Sequence, residues 1–141
     1  MKKKDVIRIV GYDEQQIIKD ILYLHCKDKG IELDPTYSKG NFYKKGLKQP
    51  MYRFDLMPQA EGVGQADVRE LPLVDNSIDV VMFDPPFLAT TGRSLNGVAD
   101  GNNIIGRRFG VYPSEKALFE MYEGAIRELH RVMKKVGGID I

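Results

Sequence analysis

The residues best placed to do chemistry are Asp84-Pro85-Pro86-Phe87, directly after the run Ile78-Asp79-Val80-Val81-Met82-Phe83. That run is almost continuously apolar, as strands buried on both faces of a parallel sheet are, and it delivers Asp84 to the carboxyl end. An exocyclic amine on an aromatic base is a poor nucleophile, because its lone pair is delocalised into the ring. Two acceptors aimed at the amine hydrogens draw that lone pair out of conjugation. The Asp84 carboxylate and the Pro85 carbonyl suit these roles, since proline restricts its own backbone angles and those of the residue before it. Phe87 offers a ring on which a base can stack. The plainer alternative is a strand-ending turn, because Asp and Pro both favour turns.

Three further acids fall at or near strand ends: Asp34, Asp55 and Asp67. In open parallel sheets ligands bind beyond the carboxyl ends of the strands. One acid there says little. Four at successive strand ends, Asp84 included, point to a nucleoside, whose ribose hydroxyls and adenine amine are donors that suit carboxylates.

The elements that must position these residues follow from periodicity and breakers. Val6 to Val10 is a short β-branched run that Gly11-Tyr12-Asp13 interrupts. Asp13 is a good N-cap for a helix predicted from Glu14 to Lys29, with Ile17, Ile18, Ile21, Leu22 and Leu24 near helical spacing and Gly30 as the stop. Strands are expected at Ile31 to Leu33, Tyr52 to Leu56, Gly64 to Val68 and Ile78 to Phe83. Residues 87 to 112 are rich in Gly, Asn and Thr and read as a long loop of the kind that often carries function. Ser114 caps a second helix, whose apolar stripe is Leu118, Met121, Tyr122, Ala125, Leu129, Val132 and Met133. Gly137-Gly138 ends it, and Ile139-Asp140-Ile141 opens a strand. Strands alternating with helices predict an α/β domain with a mostly parallel sheet.

Composition sets outer limits. A chain of 141 residues with 43% hydrophobic and 29% charged residues suits one ordinary globular domain. Its apolar runs are far shorter than the ~20 residues that span a bilayer, so no membrane association is expected. Met1-Lys2-Lys3-Lys4 leads into charged Asp5 and Arg8 rather than an apolar signal segment. The single cysteine, Cys26, rules out an internal disulfide and a multi-cysteine zinc site, and fits a reducing cytoplasm. His25 and His130 read as structural histidines. A formal net charge of +1 does not announce a nucleic-acid binder. Arg107-Arg108, in the loop after Asp84-Pro85-Pro86-Phe87, is the pair best placed to meet DNA phosphates, with a solvated pair as the alternative.

Taken together, these motifs resemble the amino-methyltransferases that act on nucleic-acid bases. That family shares Asp, Asn or Ser, then Pro-Pro, then Tyr, Phe or Trp. The likeness extends from about Ile31 onward. Asp34-Pro35-Thr36-Tyr37-Ser38-Lys39-Gly40-Asn41-Phe42 resembles the family's cofactor loop. Asp55 stands where the family's ribose-binding acid follows the second strand, and Asp67 where an acid or amide meets the cofactor's adenine. Leu71-Pro72-Leu73 and Asp75-Asn76-Ser77-Ile78-Asp79 resemble the approach to the catalytic strand. The helix from Ser114 to Lys135 and its glycine turn match the wider methyltransferase fold. The resemblance implies a Rossmann-like fold, S-adenosylmethionine as cofactor and DNA as partner. It implies Asp34, Pro35, Tyr37, Ser38, Gly40, Asp55 and Asp67 at the cofactor, and Asp84, Pro85, Pro86 and Phe87 at the reacting amine. The expected reaction is methyl transfer to a DNA base, adenine N6 ahead of cytosine N4.

The sequence departs from the family at two points. Ser38 stands where a first glycine is usual and Lys39 where a small residue is. Asp140 breaks the apolar fifth strand, and the sequence ends there, which predicts one partial domain over 1–141 lacking the C-terminal strands. The exposed edge of such a sheet invites a second copy or a complementing chain. Two other readings stay open: a methyltransferase for RNA or a protein side-chain amide, and a catalytically inactive cofactor-binding remnant.

Overall fold

The computed structural model describes residues 13–85 and 114–135. Its first helix, α1 (Glu14–His25), starts at Asp13, whose carboxylate accepts the N–H groups of Gln15 and Gln16 at 3.1 and 3.3 Å. It stops four residues before the predicted end. The Cys26 and Asp28 N–H groups both return to the Leu22 carbonyl, and Lys27 takes a left-handed φ of 51°. Both bonds end on that one carbonyl, and Lys29 N–H turns back to the Cys26 carbonyl at 2.9 Å, so the helix closes before the stop expected at Gly30.

Three short strands follow: β1 (Leu33–Asp34), β2 (Tyr52–Asp55) and β3 (Gly64–Gln65). They form one parallel sheet in the order β1-β2-β3, with Leu33 opposite Tyr52 and Phe54 opposite Gly64. The expected extensions to Ile31, Leu56 and Val68 are not strand. The β1–β2 link carries one turn of 3-10 helix (Asn41–Tyr43), and the β2–β3 link is a loop. Pro35, Gly40, Gly46 and Pro50 break the first link, and the second is too short for a crossover helix.

On the far side of β1 lies the 78–82 segment. Glu32 and Leu33 donate N–H bonds to the Val80 carbonyl at 2.9 and 3.2 Å, and Met82 N–H returns to Leu33 at 2.9 Å. Leu33 faces Val81, and Ile78 faces Met133, both in parallel. The segment is therefore paired through single bridges rather than as the long strand expected. Only Ile78 is fully buried; Val80 to Phe83 are half-buried.

The second helix, α2 (Glu115–Val132), begins at the predicted cap, with Ser114 Oγ accepting from Ala117 N–H at 3.1 Å. It ends at Val132 rather than Lys135, because Met133 turns extended to pair with Ile78. Leu118, Met121, Ala125, Leu129 and Val132 form its buried stripe, joined by Leu33, Val68, Leu71 and Ile78 in the main core. A second cluster of Leu22, Ile31, Tyr37 and Tyr43 packs beneath α1. Val81 and Phe83 touch the first cluster, Val80 and Met82 the second. This two-residue alternation places α1 and α2 on opposite faces of the sheet. The fold is α/β, and among the described residues no helix is long and apolar enough to cross a membrane.

Candidate functional site

The chain runs outward from β1 to β2 to β3, then returns to pair on the other side of β1. The carboxyl ends of β1 and the 78–82 segment therefore flank a reversal of strand order, where ligands bind in open α/β sheets. Asp34 and Asp84 stand on either side of it.

The loop after β1 is built on Asp34. Its carboxylate is 1% exposed. Oδ1 accepts from the N–H and hydroxyl of Thr36 at 2.9 and 3.3 Å, and Oδ2 from the Tyr43 hydroxyl at 2.6 Å. Burial pushes the Asp34 carboxyl up to about 6, against the pull of the Tyr43 and Thr36 hydrogen bonds; Asp84 adds a smaller rise. Burial and the nearby Asp34 charge push the Tyr43 phenol far above its ordinary range, so it stays a neutral donor.

Tyr37 is buried and stacks on Tyr43 with ring centres 5.5 Å apart. Its hydroxyl donates to Gln49 Oε1 at 2.5 Å, and the Arg53 guanidinium lies 5.9 Å from its ring centre. Beyond it the loop turns through two left-handed residues, Ser38 at φ 60° and Gly40 at φ 73°. Gly40 is needed twice over: that φ suits glycine, and a Cβ there would collide with the Tyr37 ring. Ser38 adopts its unusual φ because Asp55 holds it. Asp55, 2% exposed, accepts Ser38 N–H on Oδ2 at 2.7 Å and Met57 N–H on Oδ1 at 3.0 Å.

Asp84 joins this loop through the backbone. Its N–H donates to Thr36 Oγ1 at 3.0 Å. Glu14, Thr36, Tyr37, Ser38, Asn41, Phe42 and Asp84 line a cleft of about 160 Å³. Pro85 follows, half-buried, while Asp84 itself is exposed.

The structure thus brings Asp34, Pro35, Tyr37, Ser38, Gly40 and Asp84 to one end of the sheet. Asp55 supports that loop from below rather than lining the cleft. Asp67 stands apart: Arg69 closes on both its oxygens, at 2.9 and 2.6 Å, and holds its carboxyl below the usual range. Pro86, Phe87, Arg107 and Arg108 lie outside the described residues. A larger cleft, about 530 Å³, opens beside Lys29, Gly30, Lys48 and Asp79 at the amino ends of β1 and the 78–82 segment. None of the sequence-predicted site residues lines it.

Thr36 and Tyr43 are the members that sequence reasoning did not single out. In the sequence Thr36 is one residue of the Asp34-to-Phe42 run, and Tyr43 reads as a core or surface aromatic. Their shared role, satisfying the two oxygens of Asp34, shows only in three dimensions. Compared with protein-family models, with curated proteins and with solved structures, the chain finds no match.

Proposed function

We propose that this chain is an S-adenosylmethionine-dependent methyltransferase with a Rossmann-like fold, which methylates an exocyclic amino group of a DNA base, adenine N6 favoured. The observation that carries the reading is Asp84, the first residue of Asp84-Pro85-Pro86-Phe87, tied to the Asp34-Pro35 loop at the reversal of strand order. That is where a nucleoside cofactor and the acceptor of its transferred group must meet.

The loop suits the cofactor on one independent ground. Ser38 Oγ is buried beside the cleft without a hydrogen-bond partner among the described residues. A buried hydroxyl left unpaired is costly, and a ligand with a carboxylate or hydroxyl relieves it. Tyr37, Ser38 and the backbone around Gly40 would hold the cofactor, with Asp34 and Asp55 fixing their loop. Asp67 is the poorest fit, since Arg69 already engages its carboxylate. The bound cofactor supplies an electrophilic methyl group on a sulfonium.

The chain's own part is orientation and charge. The Asp84 carboxylate and the Pro85 carbonyl accept hydrogen bonds from the two amine hydrogens and bring the nitrogen lone pair out of conjugation. The negative carboxylate stabilises the positive charge that grows on the nitrogen. Asp84 is exposed, so the released proton passes to solvent. A base inside a duplex is out of reach, so the target is flipped and stacked on Phe87, with Arg107 and Arg108 at the phosphates.

The test is transfer of a labelled methyl group to DNA, RNA and protein acceptors. Label on DNA, reduced by roughly two orders of magnitude in Asp84→Ala, is the expected result. Label on RNA or on a protein amide instead would reassign the acceptor. A folded chain that labels none of them would sink the reading.

A further inference from the structure

We propose that Thr36 is a positioning residue that sets the place of Asp84 through its side-chain hydroxyl, under the control of Asp34. This rests on the methyl-transfer reading for its function, though not for its geometry. The hydroxyl has one hydrogen to give. Asp34 Oδ1 receives it at 3.3 Å and also takes the Thr36 N–H at 2.9 Å. With the hydrogen directed there, a lone pair of the same oxygen is left for the Asp84 N–H at 3.0 Å. The Tyr43 hydroxyl on Oδ2 stops the Asp34 carboxylate from rotating away. The result is a continuous chain from Tyr43 through Asp34 and Thr36 to the backbone of Asp84.

The purpose follows from the position of each end. The Asp34 loop is where the cofactor is expected, and Asp84 begins the group that grips the amine. Asp84 is exposed and lies at the end of a segment paired only through bridges, so the sheet alone holds it loosely. A bond from the cofactor loop fixes the acceptor carboxylate relative to the methyl donor, and that relative placement is what an in-line transfer requires. A hydroxyl is needed, while the Thr36 methyl is not.

The experiment compares wild type, Thr36→Val and Thr36→Ser as full chains. It reads hydrogen exchange of the Asp84 amide by nuclear magnetic resonance, cofactor affinity by calorimetry, and methyl transfer. In Thr36→Val the Asp84 amide is expected to exchange about tenfold faster or more. Its kcat is expected to fall roughly ten- to a hundredfold while cofactor affinity stays within about twofold. Thr36→Ser restores both the exchange rate and kcat. If Thr36→Val leaves Asp84 exchange unchanged, or if Thr36→Ser fails to restore it, the bridge is wrong. Should wild type transfer no methyl group, the methyl-transfer reading falls, and the exchange comparison still decides the bridge by itself.

Discussion

Asp34 is a carboxyl whose proton the folded chain binds more tightly than the unfolded chain does. Its folded value of about 6 lies above its ordinary value of 3.8 because burial disfavours the anion. Between those two values the folded chain binds the proton more tightly than the unfolded chain does. Stability therefore falls as pH rises from about 4 to about 6, by at most about 1.4 kcal/mol per pH unit, and is flat above. Asp67 and Glu128 have the opposite sign: arginine hydrogen bonds depress both, so their contribution grows as pH rises through the range below their ordinary values. Urea midpoints measured from pH 4 to 7 should show the decline in wild type and little of it in Asp34→Asn. At this scale the sequence was informative about residue types at strand ends and silent about their partners. Asp34 and Asp84 were identified as a pair of motifs, but the Thr36 link depends on a register between segments far apart in the chain. Asp67 was read as a cofactor acid, and nothing in the sequence marked Arg69, two residues on, as the partner that engages its carboxylate.

The helix caps are where elements were most legible. Ser114 and Asp13 were readable as N-caps because capping is chemistry within one turn. Ser114→Ala removes the bond to Ala117 N–H and is expected to cost about 1 kcal/mol, measurable by denaturant titration. The C-terminal ends were not legible, because tertiary contacts set one of them. Met133 leaves the helix to pair with Ile78, and no local signal marks Val132 as the last turn. α1 instead closes with Lys27 in the left-handed position that glycine usually fills, so it ends before Gly30. Arg131 joins the elements at this level. It bonds Glu128 and Asp75 and the carbonyls of Leu71 and Leu73, clamping the approach to Ile78 onto α2. A lysine has no planar fork with which to hold four such partners.

For the whole molecule, the parallel α/β arrangement followed from alternating apolar segments, and the apolar stripe of α2 was read almost residue for residue. The links between β1, β2 and β3 carry no α-helix, only the 3-10 turn Asn41–Tyr43, and the main core is concentrated on α2. Met121, 1% exposed, sits within the cluster that joins α2 to Leu33 and Ile78. Met121→Ala is expected to lower unfolding free energy by about 2–5 kcal/mol, read from urea melts at neutral pH. The loss should reach the whole chain rather than α2 alone, because the cluster includes residues of β1 and the 78–82 segment.

β1 pairs with the next strand, β2, on one side and with the more distant 78–82 segment on the other. Forty-seven residues separate Glu32 from Asp79, and fifty-five separate Asp79 from Lys134. During synthesis at roughly 5–20 residues per second, the strand that ends in Asp34 waits some seconds for the 78–82 segment to emerge, and that segment waits again for Met133. Closing such long loops is entropically slow, and it comes before most of the stabilising contacts are made. The ribosome therefore presents β1 with one edge open, and Ile78 without Met133, well before the sheet is complete. Chaperone dependence and the yield of soluble chain should respond more to translation rate than to the strength of any single contact in the finished fold.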